Sequence, residues 1–163
     1  MTQERHFYTD MDAAVTEVEI GDYEAANRSD EIYTEGLGPC IGVAFSFELS
    51  GYVFHGGGMQ HTQEFDDFLS RASEFLNANE RSKIRPVVAG GGATDLVGDD
   101  VVHSRNYCLS RLREMGFGPP HVCWCPDRHT QSLYLDVHHN KVRVHTENMV
   151  VSSIGESVDI DCE

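Results

Sequence analysis

The apolar positions along the chain change their period from one stretch to the next. VTEVEIGDY, residues 15–23, alternates apolar and polar positions, which is the two-residue period of a strand. EAANRSDE then reads as a turn. EIYTEGLGPC has an extended start and breaks at Gly36–Pro39. Ile41 to Phe47 is strongly apolar and reads as a strand, with 51–59 as its hairpin partner ending in glycines. Phe65, Phe68, Leu69, Ala72, Phe75 and Leu76 recur at helical spacing, and Thr62 precedes them as a cap. Val102, Asn106, Leu109, Leu112 and Met115 repeat that spacing, and Gly116, Gly118, Pro119 and Pro120 end the run. The spacing predicts two main helices, at about residues 63–80 and 103–115. A strand running into a glycine turn lies between them, IRPVVAGGGATDL. HVCWC, SLYLDV and KVRVHT close the pattern as strands, with His139-Asn140 as the last hairpin turn. Strands, a helix, a strand, a helix and strands again predict an α+β fold: a layered α/β/β sandwich, mostly antiparallel.

The length of 163 residues suits one domain. Residues 1–14 read as a polar lead-in, 15–146 as the domain, and 147–163 as a peripheral acidic tail. No stretch approaches the roughly 18 apolar residues of a membrane helix. The N-terminus has no apolar core and does not read as a secretory signal.

Twenty-seven acidic and 12 basic residues give a net charge of -15. A field of that sign repels phosphate backbones, so nucleic acid is not an expected partner. The five cysteines are odd in number and lack a disulfide framework, which points to reduced thiols in a cytoplasmic compartment.

Cys40 is the first candidate for chemistry. It stands where the GLGP turn meets an apolar strand, and tight glycine turns bring backbone amides close to a substrate. A thiol needs a neighbouring base or a positive field to act near neutral pH. The hairpin returns the chain to the same end of the ladder, which makes His61 the expected partner. His55 is the rival, placed in mid-strand. A buried structural cysteine beside a turn histidine is the competing reading. Cys123, Cys125 and His129 suggest a zinc site, but a strand with two buried thiols explains them as readily. VAGGGATDL lacks the spacing of a phosphate loop. Arg105 and Asn106 read either as substrate ligands or as a brace at a helix start.

Taken in order, GLGPC, GGMQH, VAGGGATDL and SRNYCLSRLREMGF resemble the CheD family of chemoreceptor glutamine deamidases. The matching positions are Thr34, Leu37, Gly38 and Cys40, then Gly57, Gly58, Met59 and His61, then Gly91, Gly92 and Ala93, then Arg105 and Asn106. The opening strand and closing hairpin also correspond, so the similarity spans about residues 15–146. The same fold and Cys–His pair occur in cytotoxic necrotizing factor-type toxins. The resemblance implies a protein-glutamine deamidase (a cysteine hydrolase) acting on a partner protein, such as a chemoreceptor in chemotaxis, without metal or organic cofactor. Cys40 would be the nucleophile, His61 the base and Thr34 the orienting group. Gly38, Pro39, Arg105 and Asn106 would bind substrate.

Three features depart from the family pattern. Pro39 stands in place of serine and carries no N–H. The interval from Cys40 to His61 is longer than in the family. CWCPDRHTQS replaces a glycine-rich turn. A non-catalytic binding module and a zinc-stabilised scaffold are therefore the alternative readings.

Overall fold

A computed structural model describes residues 14–94, 98–149 and 155–163. It is an α+β fold of two five-stranded sheets with helices against one of them. The first sheet has the order β1-β3-β8-β9-β10, and the second β2-β5-β4-β6-β7.

The strands are β1 (Val15–Glu17), β2 (Tyr23–Asn27), β3 (Glu31–Leu37), β4 (Ile41–Phe47), β5 (Ser50–Gly56), β6 (Val87–Gly90), β7 (His121–Trp124), β8 (His129–Asp136), β9 (Lys141–Asn148) and β10 (Glu156–Asp161). The helices are α1 (Thr62–Phe75), α2 (Ala78–Ser82) and α3 (Gly98–Glu114). Among the described residues only β1 with β3 and β6 with β7 pair in parallel.

Alternation along the second sheet sends its odd and even residues into different environments. Phe45, Tyr52 and Phe54 point toward the helices, where Phe54 and Phe45 meet Phe65, Phe68 and Phe117. Gly42 and Gly51 face the other sheet. A Cβ at Gly42 would come within 2.8 Å of Leu37 and Leu133. The sheets therefore meet most closely where these positions carry no side chain. Apolar residues fill both layers, from Ile32, Leu133 and Leu135 between the sheets to Leu69, Ala72 and Leu112 under the helices.

Several expectations need correction. EAANRSDE is not simply a turn: residues 23–27 form β2 and pair with β5. The first expected helix divides at Leu76, where the chain turns extended and Asn77 opens α2 with a capping box. Phe75 is about half exposed beneath the Arg71 guanidinium and is not core. The buried stripe of α3 is Val101, Ser104, Cys108 and Leu112, so Val102 faces outward.

The C-terminal segment is not peripheral. β10 pairs with β9 over six residues, and Cys162 behind it is fully buried. Four of the six residues of β10, Glu156, Ser157, Asp159 and Asp161, are acidic or polar and concealed its role, because an edge strand exposed on one face needs little apolar content. The expected lead-in lies almost wholly outside the described residues.

Candidate active site

Cys40 is held by backbone rather than by its side chain. Its carbonyl accepts from the Gly91 N–H at 2.8 Å, and the Gly38 carbonyl accepts from the Gly92 N–H at 2.8 Å. These two bonds lock the turn before β4 onto the turn after β6. Gly90 makes the approach possible: its φ is +80°, and a Cβ there would lie 1.9 Å from the Cys40 carbonyl oxygen. The Gly90 N–H donates to buried Gln131 Oε1 at 2.7 Å, which ties the turn to the other sheet.

Arg105 braces the same turn from outside. Its Nε donates to the Gly91 carbonyl at 2.7 Å, and its guanidinium lies 4.7 Å from the Trp124 ring centre. Neither Arg105 nor Asn106 lines the cavity beside Cys40. Asn106 is exposed in the middle of α3, which begins at Gly98 and not near residue 103. The bracing role therefore describes Arg105 better than substrate contact. Pro39 is exposed and does line that cavity, whereas Gly38 serves as a backbone acceptor.

The two histidines lie on opposite faces of the sheet. His61 closes the 3-10 turn after β5, where its Nδ1 accepts from the Gly57 N–H at 2.6 Å. It belongs to the helix side, in a cleft of about 20 Å3 with Ile41, Phe54, Phe65 and Tyr107. His55 is the next-to-last residue of β5, pairs with Gly42, and therefore faces the other sheet. It is 4% exposed.

Thr34 contacts His55 and not His61. Its Oγ1 lies 2.7 Å from His55 Nδ1 and donates its own proton to the Val18 carbonyl at 2.6 Å. A hydroxyl has one proton to give. With that proton on Val18, the Thr34 oxygen must accept from His55, so Nδ1 carries the hydrogen. Nε2 is left with its lone pair, buried and without a partner among the described residues.

The expected Cys40–His61 hydrogen bond is absent among the described residues, and Cys40 likewise makes none to His55. The pairing register puts His55 on the same face of the sheet as the Cys40 position. Ile41 lies opposite Gly56 and Gly42 opposite His55 at the end of the ladder. Were the ladder continued one step, Cys40 would fall opposite Gly57 and diagonal to His55. On a continuing ladder such a diagonal pair has Cβ atoms about 7 Å apart. The hairpin turn is only Glu48-Leu49, and β5 ends at Gly56 instead of near residue 59, so His55 stands next to the end of the ladder.

Burial sets the protonation of both groups. It raises the Cys40 thiol above its ordinary value, and no charge among the described residues opposes the shift. It lowers His55 from 6.5 to about 4, with a smaller contribution from His61. At neutral pH the Cys40 thiol and the His55 imidazole are both uncharged, so the two do not form an ion pair.

Cys40 opens into a cavity of about 440 Å3. Cys123 is half-buried on β7, and Cys125 is buried just beyond it, its sulfur 3.5 Å from the Pro126 carbonyl. His129 Nδ1 is bonded to the Asp127 carbonyl instead of turning toward either thiol. No group of three metal-ligating side chains forms among the described residues. All five cysteines are free, and no described helix is long and apolar enough to cross a membrane. Comparison with family models and with curated proteins returns no match.

Proposed function

We propose that the chain is a protein-glutamine deamidase in which Cys40 is the nucleophile, His55 the base and Thr34 the group that orients the base. The observation that carries this reading is the Thr34–His55 pair. It fixes the imidazole as the Nδ1–H tautomer and leaves the buried Nε2 with a free lone pair among the described residues, on the strand end next to the Cys40 turn. The ordered likeness to the CheD family over residues 15–146 supports the same reaction. In this reading the base moves from His61 to His55, because the orienting threonine touches His55.

The steps follow from the neutral resting state. His55 Nε2 takes the thiol proton as Cys40 Sγ attacks the carboxamide carbon of a glutamine side chain. The tetrahedral intermediate collapses, the C–N bond breaks, and His55 returns the proton to the leaving nitrogen, so ammonia departs. Water then attacks the thioester while His55 removes its proton. The S–C bond breaks, the thiolate is reprotonated, and glutamate remains on the partner protein. No redox partner enters. A raised thiol and a weakly basic imidazole hold the site quiescent until substrate aligns the pair.

The chemistry suits a reducing, cytoplasmic compartment, where five free thiols persist. The partner is a protein presenting an accessible glutamine, such as a chemoreceptor signalling segment. The alternative is a binding module without activity, favoured by the neutral thiol and by the absent N–H at Pro39. Incubation with glutamine-bearing chemoreceptor fragments separates the two. The deamidase reading requires a mass gain of about one dalton at a glutamine and release of ammonia. Cys40→Ala abolishes both, and His55→Ala reduces the rate at least about 100-fold, whereas His61→Ala loses less than about 10-fold. An active Cys40→Ala protein, or His61→Ala failing while His55→Ala works, would overturn the assignment.

A further inference from the structure

The cavity at Cys40 is larger than one carboxamide side chain requires. At about 440 Å3 it has room for residues flanking the target, and its walls indicate their chemistry. Ile20, Pro39 and Val101 supply apolar surface, and Gln60 a neutral polar group. Asp100 is the one charged side chain lining it among the described residues. It sits in the first turn of α3 next to Asp99, is exposed, and has no ion-pair partner among the described residues. Arg105, the nearest cation of that helix to the Cys40 turn, is committed to the Gly91 carbonyl and Trp124 and lies outside the cavity.

Acidic residues in a first turn also favour the helix itself through its dipole. That role needs no cavity and does not require Asp100 to open onto the nucleophile. The net charge of -15 adds a long-range field of the same sign.

We infer that the Cys40 cavity selects a cationic segment, a peptide in which lysine or arginine flanks the target glutamine, and that Asp100 is the residue that reads the charge. This inference rests on the deamidase reading for its substrate class. The negative character of the cavity is a separate physical claim. The cationic side chain would pair with the Asp100 carboxylate while its stem covers Val101 and Ile20.

The first test needs no turnover. Cys40 in the full chain is labelled with cationic trimethylammonium-ethyl methanethiosulfonate and with its anionic sulfonatoethyl counterpart. Labelling is read by mass spectrometry of the Cys40 peptide, and the rate ratio is divided by the ratio for free glutathione. The corrected ratio should favour the cation in the wild-type chain. Asp100→Asn should lower it by on the order of threefold at low salt, and Asp100→Lys should invert it. About 0.5 M salt should erase most of the preference. A ratio identical in wild-type and both variants, with folding confirmed by circular dichroism, would overturn the inference.

The second test compares Lys-Gln and Glu-Gln peptides as deamidation substrates. The lysine preference should appear in KM and disappear in Asp100→Asn. Charge-selective labelling without deamidation of any peptide would sink the deamidase reading and spare the cavity's selectivity. Deamidation indifferent to flanking charge would do the reverse.

Discussion

The substitution His55→Gln tests whether the imidazole is neutral at working pH, and the structure predicts a distinctive signature. Burial lowers this histidine from 6.5 to about 4. The unfolded chain therefore binds a proton between those values that the folded chain refuses. Stability from this group is complete above pH 6.5 and is lost as pH falls through 4. Its slope is about 1.4 kcal/mol per pH unit, and the whole window amounts to about 3 kcal/mol. A second buried group acts with the opposite sign. Glu31 is 1% exposed, and both carboxyl oxygens lack hydrogen-bond partners among the described residues. Burial, aided by Asp136 and opposed by Arg143, raises it from 4.5 to about 7. The folded chain keeps that proton where the unfolded chain loses it. Its contribution is complete below pH 4.5 and vanishes as pH rises through 7, again about 3 kcal/mol in all. Between about pH 5 and 6 the two slopes cancel, and these two groups leave the wild-type curve nearly flat. Urea unfolding of wild-type, His55→Gln and Glu31→Gln at pH 4.5, 5, 5.5, 6 and 7 separates them. The difference between His55→Gln and wild-type should fall with rising pH, and that between Glu31→Gln and wild-type should rise. A pH-independent His55→Gln difference would mean that the imidazole titrates in the folded chain as it does in the unfolded one, and the weakly basic, desolvated imidazole of the proposed resting state would be refuted.

Other consequences are more local. Thr34→Val removes one buried hydroxyl and orphans both the His55 Nδ1–H and the Val18 carbonyl. It should cost about 2–4 kcal/mol by chemical denaturation, while Thr34→Ser recovers most of that. The β4–β5 hairpin turns through Glu48 and Leu49 with φ of 48° and 66°, left-handed values that suit glycine. Leu49 is half exposed, so Leu49→Gly should raise stability by about 1 kcal/mol with no effect on the site. Deleting residues 155–163 removes an edge strand and fully buried Cys162. A loss on the order of 3 kcal/mol and a lower melting temperature are expected, where a truly peripheral tail would show no change.

The apolar run of β4 with its hairpin partner, the spacing of Phe65, Phe68 and Leu69, and the glycine turn after β6 were legible from residue order. Each depends on periodicity within one element, and periodicity is a local property. They suffice for an α+β fold with layered sheets and for Cys40 at a strand entry. Residue order favoured His61 and kept His55 as the rival, and it could not show which of the two Thr34 touches. That contact depends on where a two-residue turn sets the β4–β5 register, and a one-residue slip exchanges the faces of a sheet. It depends also on Thr34, which reaches His55 only because β3 packs across from β5 in the other sheet. The same limit hid β10, whose polar sequence becomes a strand through the hydrogen bonds β9 offers at its edge. Tertiary structure alone decided the protonation of the site, because the pKa of Cys40 and of His55 is set by how much water the two sheets and the clamped turns leave around them.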